Sequence, residues 1–202
     1  MPDKNSQVRL GVAGPLAGFF FSIIVLIIGL KLSFPVETLQ MKEEILVKFF
    51  GEPAPYFLGQ SVLLKVLKGL VWNFSPRTNL FLHPLAFAGW AGLFVTFLNL
   101  IPVGQFDGGH VARAVLGSKN HLRLSLFTCG LMVMVGLLSF LNYPVWPGWL
   151  IWGILGFYFS RGGNPGAMNE LEPLGKQEKI LAIITTIIFI LTFMPVPIKM
   201  GQ

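Results

Sequence analysis

The chain has 202 residues, 53% of them hydrophobic and 12% charged, with 19 Phe, 5 Trp and a mean hydropathy of +0.69. Soluble domains carry charge on about a quarter of their residues, so this composition excludes an ordinary soluble domain, and the abundance of apolar side chains excludes a disordered one. The formal charge of +6 is scattered between long apolar runs instead of forming a block that could track phosphates, which argues against nucleic-acid binding.

The run Leu10 to Leu30 contains no charge and is long enough for a membrane-crossing helix of about 20 residues. A signal peptide is the competing reading, because Lys4 and Arg9 precede the run, but the run is too long and no small-x-small cleavage site follows Phe34. Pro35 to Pro55 turns polar and reads as a loop with one short helix. Tyr56 to Trp72 places Leu63, Val66, Leu67 and Leu70 at helical spacing beside Lys65 and Lys68, the pattern of an amphipathic helix lying on a membrane surface. Residues 35–79 together form an expected extramembrane loop with that surface helix.

Leu80 to Phe106 is again uncharged and gives a second span, whose end Pro102 and Gly104 spoil for regular helix. Asp107 to Leu116 reads as a short helix closed by Gly117, and Leu124 to Leu141 as a further span. Tyr143 to Pro147 turns the chain. The aromatic stretch from Trp146 to Tyr158 is short for a span and fits a tilted or re-entrant segment. Arg161 to Lys179 is a polar linker, and Ile180 to Met194 a final span before Pro195-Val196-Pro197. The expected fold is all-α: one integral membrane domain over residues 1–202, a polytopic bundle of about four to five spans with one interfacial helix. Basic residues fall evenly on the two sides, so orientation stays open.

Three features can carry chemistry. Gly14-Pro15-Leu16-Ala17-Gly18 holds a G-x-x-x-G spacing that lets another helix approach closely, which packing alone explains. Asn99 in an apolar run needs partners for its amide and reads equally as interhelical glue or as a functional group. Asp107, in Asp107-Gly108-Gly109-His110, is placed to cap the helix that ends at Gly117, and the lone Cys129 reads as a small buried hydrophobe.

Taken together, Asn99 to Gly109 resembles the N-x-x-P-x-x-x-x-D-G signature of the site-2 protease family of intramembrane zinc metalloproteases. Gly14 to Gly18 and His83-Pro84-Leu85-Ala86-Phe87-Ala88-Gly89-Trp90 extend the resemblance, which covers Val8 to Gly117 best and looks like a prokaryotic or plastid-type branch. The resemblance implies that Asp107 is the third protein ligand of a catalytic zinc and that Asn99, Pro102, Gly108, Gly14 and Gly18 line the cleft. It also implies membrane-embedded protein segments as substrates, with the site in a prokaryotic cell membrane or a plastid membrane.

The departure is that the family's other two ligands and its general base sit in H-E-x-x-H, and this sequence has no such motif: its histidines are His83, His110 and His121, none followed by Glu. In the family that motif precedes the Gly-Pro-Leu-Ala-Gly element, and too little chain lies ahead of Gly14 to hold it. No catalytic residue is therefore assigned within this chain, and stable zinc binding by it alone is not expected. Asp107 and His110, three residues apart on one helical face, would make at most an improvised two-ligand site. His83 is expected to pin a loop and His121 to lie on a solvated surface. Two expectations follow. Either Met1 is an internal methionine of a longer protease, or the chain is a non-catalytic relative that binds membrane segments or partner proteins. A small transporter is the third alternative, weakened by the absence of paired broken spans in two similar halves.

Overall fold

The computed structural model describes residues 1–36, 56–72 and 79–200. The short helix expected between Pro35 and Pro55 lies, beyond Val36, outside the described residues. Helix α1 covers Lys4–Leu32, longer at both ends than the uncharged run. Its start is set by Asp3, whose carboxylate accepts the Ser6 N–H at 2.6 Å. That bond to the first turn holds the Asp3 carboxyl below its ordinary range.

Strand β1 (Phe34–Val36) follows, then β2 (Tyr56–Leu58) and helix α2 (Val62–Trp72). The amphipathic helix starts at Val62 and not at Tyr56, because Tyr56–Leu58 pair with a C-terminal strand and Ser61 caps the helix by accepting the Leu64 N–H at 3.2 Å. Leu64 and Leu67 face inward, while Val62, Val66 and Leu70 form an exposed apolar row. After β3 (Asn79–Phe81) comes helix α3 (Pro84–Asn99). Leu80 and Phe81 pair with β1 instead of opening the helix. His83 sets the start: its Nδ1 accepts the Leu85 N–H at 3.2 Å, and its own N–H donates to Ser33 Oγ at 3.0 Å. Pro84 then occupies the first helical position, where its missing N–H costs nothing.

Regular helix stops at Asn99, as Pro102 and Gly104 dictate. Helix α4 runs Asp107–Leu138 and continues in a 3-10 turn, Ser139–Leu141, with a break at Gly117 (φ 77°, ψ 172°) where the sequence places the end of a short helix. Helix α5 (Gly148–Arg161), helix α6 (Lys176–Thr192) and strand β4 (Ile198–Met200) complete the chain. The described residues are thus predominantly helical, with two two-stranded antiparallel pairs, β1 with β3 and β2 with β4. Among the described residues two helical stretches, Lys4–Leu32 and Asp107–Leu141, are long and apolar enough to cross a membrane.

The chain divides into two compact units. The first comprises residues 1–18 and 95–190. Its core gathers Val8 and Val12 of α1, Val111 and Ala114 of α4, and Ala182 of α6. Phe97 is fully buried, edge-on to Trp149 at 6.0 Å and stacked on Phe189 at 5.2 Å. Helices α4 and α5 form a tight hairpin: Gly136 abuts the Leu150 backbone, and Gly153 and Gly156 face Val133 and Cys129. In lipid, apolar burial contributes little transfer free energy, so such close backbone approach, which gains dispersion contacts, holds helices together.

The linker 162–175 carries no regular element, yet it is tied down. Met168 and Asn169 donate their N–H groups to Met1 O and Pro2 O at 2.9 and 3.0 Å, and Gly175 donates to Asn5 Oδ1 at 2.9 Å. Arg113, buried, pairs with Glu170, and Arg9 pairs with buried Glu178 at 2.6 Å.

The second unit comprises residues 19–94 and 191–202. Gly89 lies so close to α1 that a Cβ there would stand 2.6 Å from the Leu26 backbone, and Gly29 abuts the backbone of Ala86. Trp90 and Trp72 donate their indole N–H groups to Gly59 O and Leu30 O, each at 2.8 Å.

Candidate functional site

Asp107 is the first residue of α4, where the helix dipole favours a negative charge. Its carboxylate is half-buried and does not cap the helix: Phe106 is the N-cap residue and no side-chain cap bond forms. Among the described residues it accepts no hydrogen bond, and His110 follows it one turn on along the same helix. Helix α1 passes directly by. A Cβ on Gly14 would stand 3.6 Å from Asp107 Oδ2, and one on Gly11 would stand 2.7 Å from Asp107 O and 3.0 Å from His110 Cβ. Gly18 faces Thr96 Oγ1, 3.2 Å from where its Cβ would be.

The segment delivering Asp107 is held from two sides. Gly104 adopts φ 49°, a left-handed conformation that glycine takes without strain, and a Cβ there would come within 2.9 Å of the Phe159 carbonyl. Its N–H donates to Ser125 Oγ at 3.2 Å, and its carbonyl accepts the Asn164 side-chain amide at 2.8 Å. Ser125, fully buried, also donates to Pro102 O at 3.3 Å and lies 3.2 Å from His121 Nε2. Asn164 Oδ1 accepts Gln7 Nε2 at 3.2 Å, and Gln105 Nε2 donates to Gly163 O at 3.1 Å. Gly108 sits against the Leu100 carbonyl, where any side chain would collide.

The sequence-predicted residues are therefore not all together. Gly14, Pro102 and Gly108 neighbour Asp107 or its supporting segment, and Gly18 lies further along α1. Asn99 is exposed at the end of α3 and makes no side-chain hydrogen bond among the described residues. His121 is buried, 4% exposed, which corrects its reading as a solvated surface residue: Ser125, one turn on, supplies its partner. Sequence reasoning missed Gln7, Gly11, Ser125 and Asn164. Only the spacing of His121 and Ser125, four apart on one helical face, carried a readable signal.

Catalytic zinc takes three protein ligands and leaves a position for water. Among the described residues no group of three His, Cys, Asp or Glu side chains comes together, so Asp107 and the orphaned, buried Nδ1 of His110 do not by themselves make up such a centre. Beside this region an apolar cavity of about 700 Å³ is lined by Pro102, Gly108 and Val111 on one side and Ala182, Thr186 and Phe189 on the other, with Lys179 also contributing to its lining.

The family model described as Peptidase family M50 matches residues 1–142. The chain is 31% identical over 198 residues to the protein named "Probable zinc metalloprotease EGY1, chloroplastic" of Arabidopsis thaliana, covering 97% of this chain and 33% of that protein. It is 26% identical over 200 residues to "Probable zinc metalloprotease EGY2, chloroplastic" of the same plant, covering 96% and 32%. It is also 32% identical over 139 residues to "DDT domain-containing protein PTM" of Arabidopsis thaliana, covering 68% of this chain and 8% of that one. The chain spans about a third of the length of the EGY relatives it matches. No solved structure matches it.

Proposed function

The chain belongs to peptidase family M50, the site-2 protease family, and on that premise we propose that it forms one wall of an intramembrane protease cleft that handles membrane-embedded protein segments. The observation that carries this reading is the approach of Gly14 to the Asp107 carboxylate, which accepts no hydrogen bond among the described residues. A half-buried acid at the head of a helix, left open by a neighbouring helix without a side chain, is poised to act on something not supplied by its own fold.

In this reading Asp107 contributes one carboxylate ligand to the family's zinc. The chain's own residues supply no H-E-x-x-H, so the remaining ligands and the base that handles water are not assigned to them. Pro102, Gly104 and Gly108 keep the signature segment irregular, which membrane-depth backbone tolerates only beside protein or a cavity. Asn99, exposed, offers an amide to a substrate backbone once the substrate helix has locally unwound, and Gly14 and Gly18 leave room for it. The apolar cavity beside Pro102 and Gly108 is suited to aliphatic or aromatic side chains of such a segment. The whole of residues 1–202 acts as a single membrane domain of four to five spans, α2 lies on the membrane surface, and the host membrane is prokaryotic or plastid.

A second reading, binding of membrane segments or partner proteins without cleavage, is favoured by the match to a relative whose name carries no protease. Protein recovered from its native membrane separates the two. Its intact mass, compared with 22.3 kDa, and its zinc content are measured with and without Asp107→Asn. A heavier product containing H-E-x-x-H, with about one zinc that the substitution removes, is the expected result. Zinc-free protein whose partner binding is unaffected by Asp107→Asn supports the binding module and sinks the protease.

A further inference from the structure

Asn164 lies in the linker that follows α5, about 60 residues from the signature, and no motif marks it. Its amide nevertheless bridges two parts of the site. Nδ2 donates to Gly104 O at 2.8 Å and Oδ1 accepts Gln7 Nε2 at 3.2 Å. Gln7 is fully buried with its Oε1 unpaired among the described residues, so the bond from its Nε2 to Asn164 is what satisfies this amide and ties α1 to the linker. Gly104 is fixed at the same time through its N–H by Ser125, so the left-handed residue on which the segment turns is gripped at both its donor and its acceptor. Three residues further on stands Asp107.

We propose that Asn164 is a positioning residue: through Gly104 and Gln7 it sets where the Asp107 carboxylate stands against Gly14 of α1. The inference rests on the reading of Asp107 as the acting carboxylate for its significance, while its test reads position alone. An amide is suited to this task because it donates to one side and accepts from the other without carrying charge into an apolar surrounding. An aspartate of the same shape would turn an acceptor toward the Gly104 carbonyl.

The test uses the full protein in its membrane, with Cys129 replaced by alanine and paired cysteines at positions 14 and 107, oxidised to a disulfide. A second pair, Phe34→Cys with Phe81→Cys, joins directly opposed residues of β1 and β3 and reports a contact far along the chain from Asn164. Asn164→Asp and Asn164→Ala are each expected to lower the 14–107 crosslinking yield several-fold while leaving the 34–81 yield unchanged. An unchanged 14–107 yield in both variants overturns the proposal. An equal fall at both pairs also overturns it, because Asn164 then supports the fold in general. Failure of Asp107 as a metal ligand would show in the zinc measurement and leave these yields untouched.

Discussion

Gly11 and Asp107 meet backbone to backbone: a Cβ at Gly11 would stand 2.7 Å from the Asp107 carbonyl oxygen, whereas one at Gly14 would meet the Asp107 carboxylate at an ordinary 3.6 Å. The two glycines are one turn apart, and they are not equivalent. Gly11→Ala is expected to destabilise the protein by about 1–3 kcal/mol through overpacking, and Gly14→Ala, with only an ordinary contact, to cost nothing or to stabilise by up to about 1 kcal/mol, as read by thermal unfolding in detergent. Equal losses in the two variants would refute the assignment of the close contact to Gly11.

Ser125→Ala removes the acceptor of the Gly104 N–H and the partner of buried His121 at one stroke. Leaving buried polar groups unpaired costs about 1–3 kcal/mol each. The variant should unfold earlier than wild type, and Ser125→Thr, which keeps the hydroxyl, should recover part of the loss.

Arg9 donates to Glu178 through two nitrogens, at 2.8 and 2.6 Å, and this contact holds the Glu178 carboxyl below its ordinary range. A lowered carboxyl favours the folded state at pH values above the normal glutamate range, and that contribution is lost as pH falls through the folded-state value. Wild-type protein should therefore lose stability on acidification below about pH 4 more steeply than Glu178→Gln. Arg9 is largely exposed, so added salt should shrink the difference.

In the second unit, Gly89→Ala would drive a methyl to within 2.6 Å of the Leu26 backbone, while Gly69 of α2 has nothing within 4 Å. The first substitution should destabilise by about 1–3 kcal/mol. The second should stabilise by about 0.5–1 kcal/mol, since alanine loses less backbone freedom than glycine in a helix. Matched melting curves decide both signs.

Local signals in the sequence carried much of the architecture. The uncharged run in α1, the helix stop before Pro102 and the break at Gly117 follow from hydropathy and from what proline and glycine do to backbone. Strand pairing was invisible, because β1 and β3 lie more than 40 residues apart in the chain, and Leu80 and Phe81 look as apolar in a strand as in a helix. The Asn99 to Gly109 signature pointed to Asp107, but the Gly14-x-x-x-Gly18 spacing drew attention from Gly11, whose tight contact depends on which way α1 is rotated. Asn164 and Gln7 had no legible tie, since a hydrogen bond across 157 positions leaves no period in a sequence. The linker read as merely polar because polarity does not reveal whether a residue meets solvent or a neighbouring carbonyl.

The break at Gly117 has a stereochemical consequence. Its φ of 77° is comfortable for an amino acid of the opposite hand, and nothing stands within 4 Å of a methyl built there in the L configuration. Ordinary alanine at this position is resisted by its own backbone and not by any neighbour. The short helix that carries Asp107 is thus set off from the long apolar one behind it at a joint whose backbone angles an achiral residue takes without strain and an L residue does not.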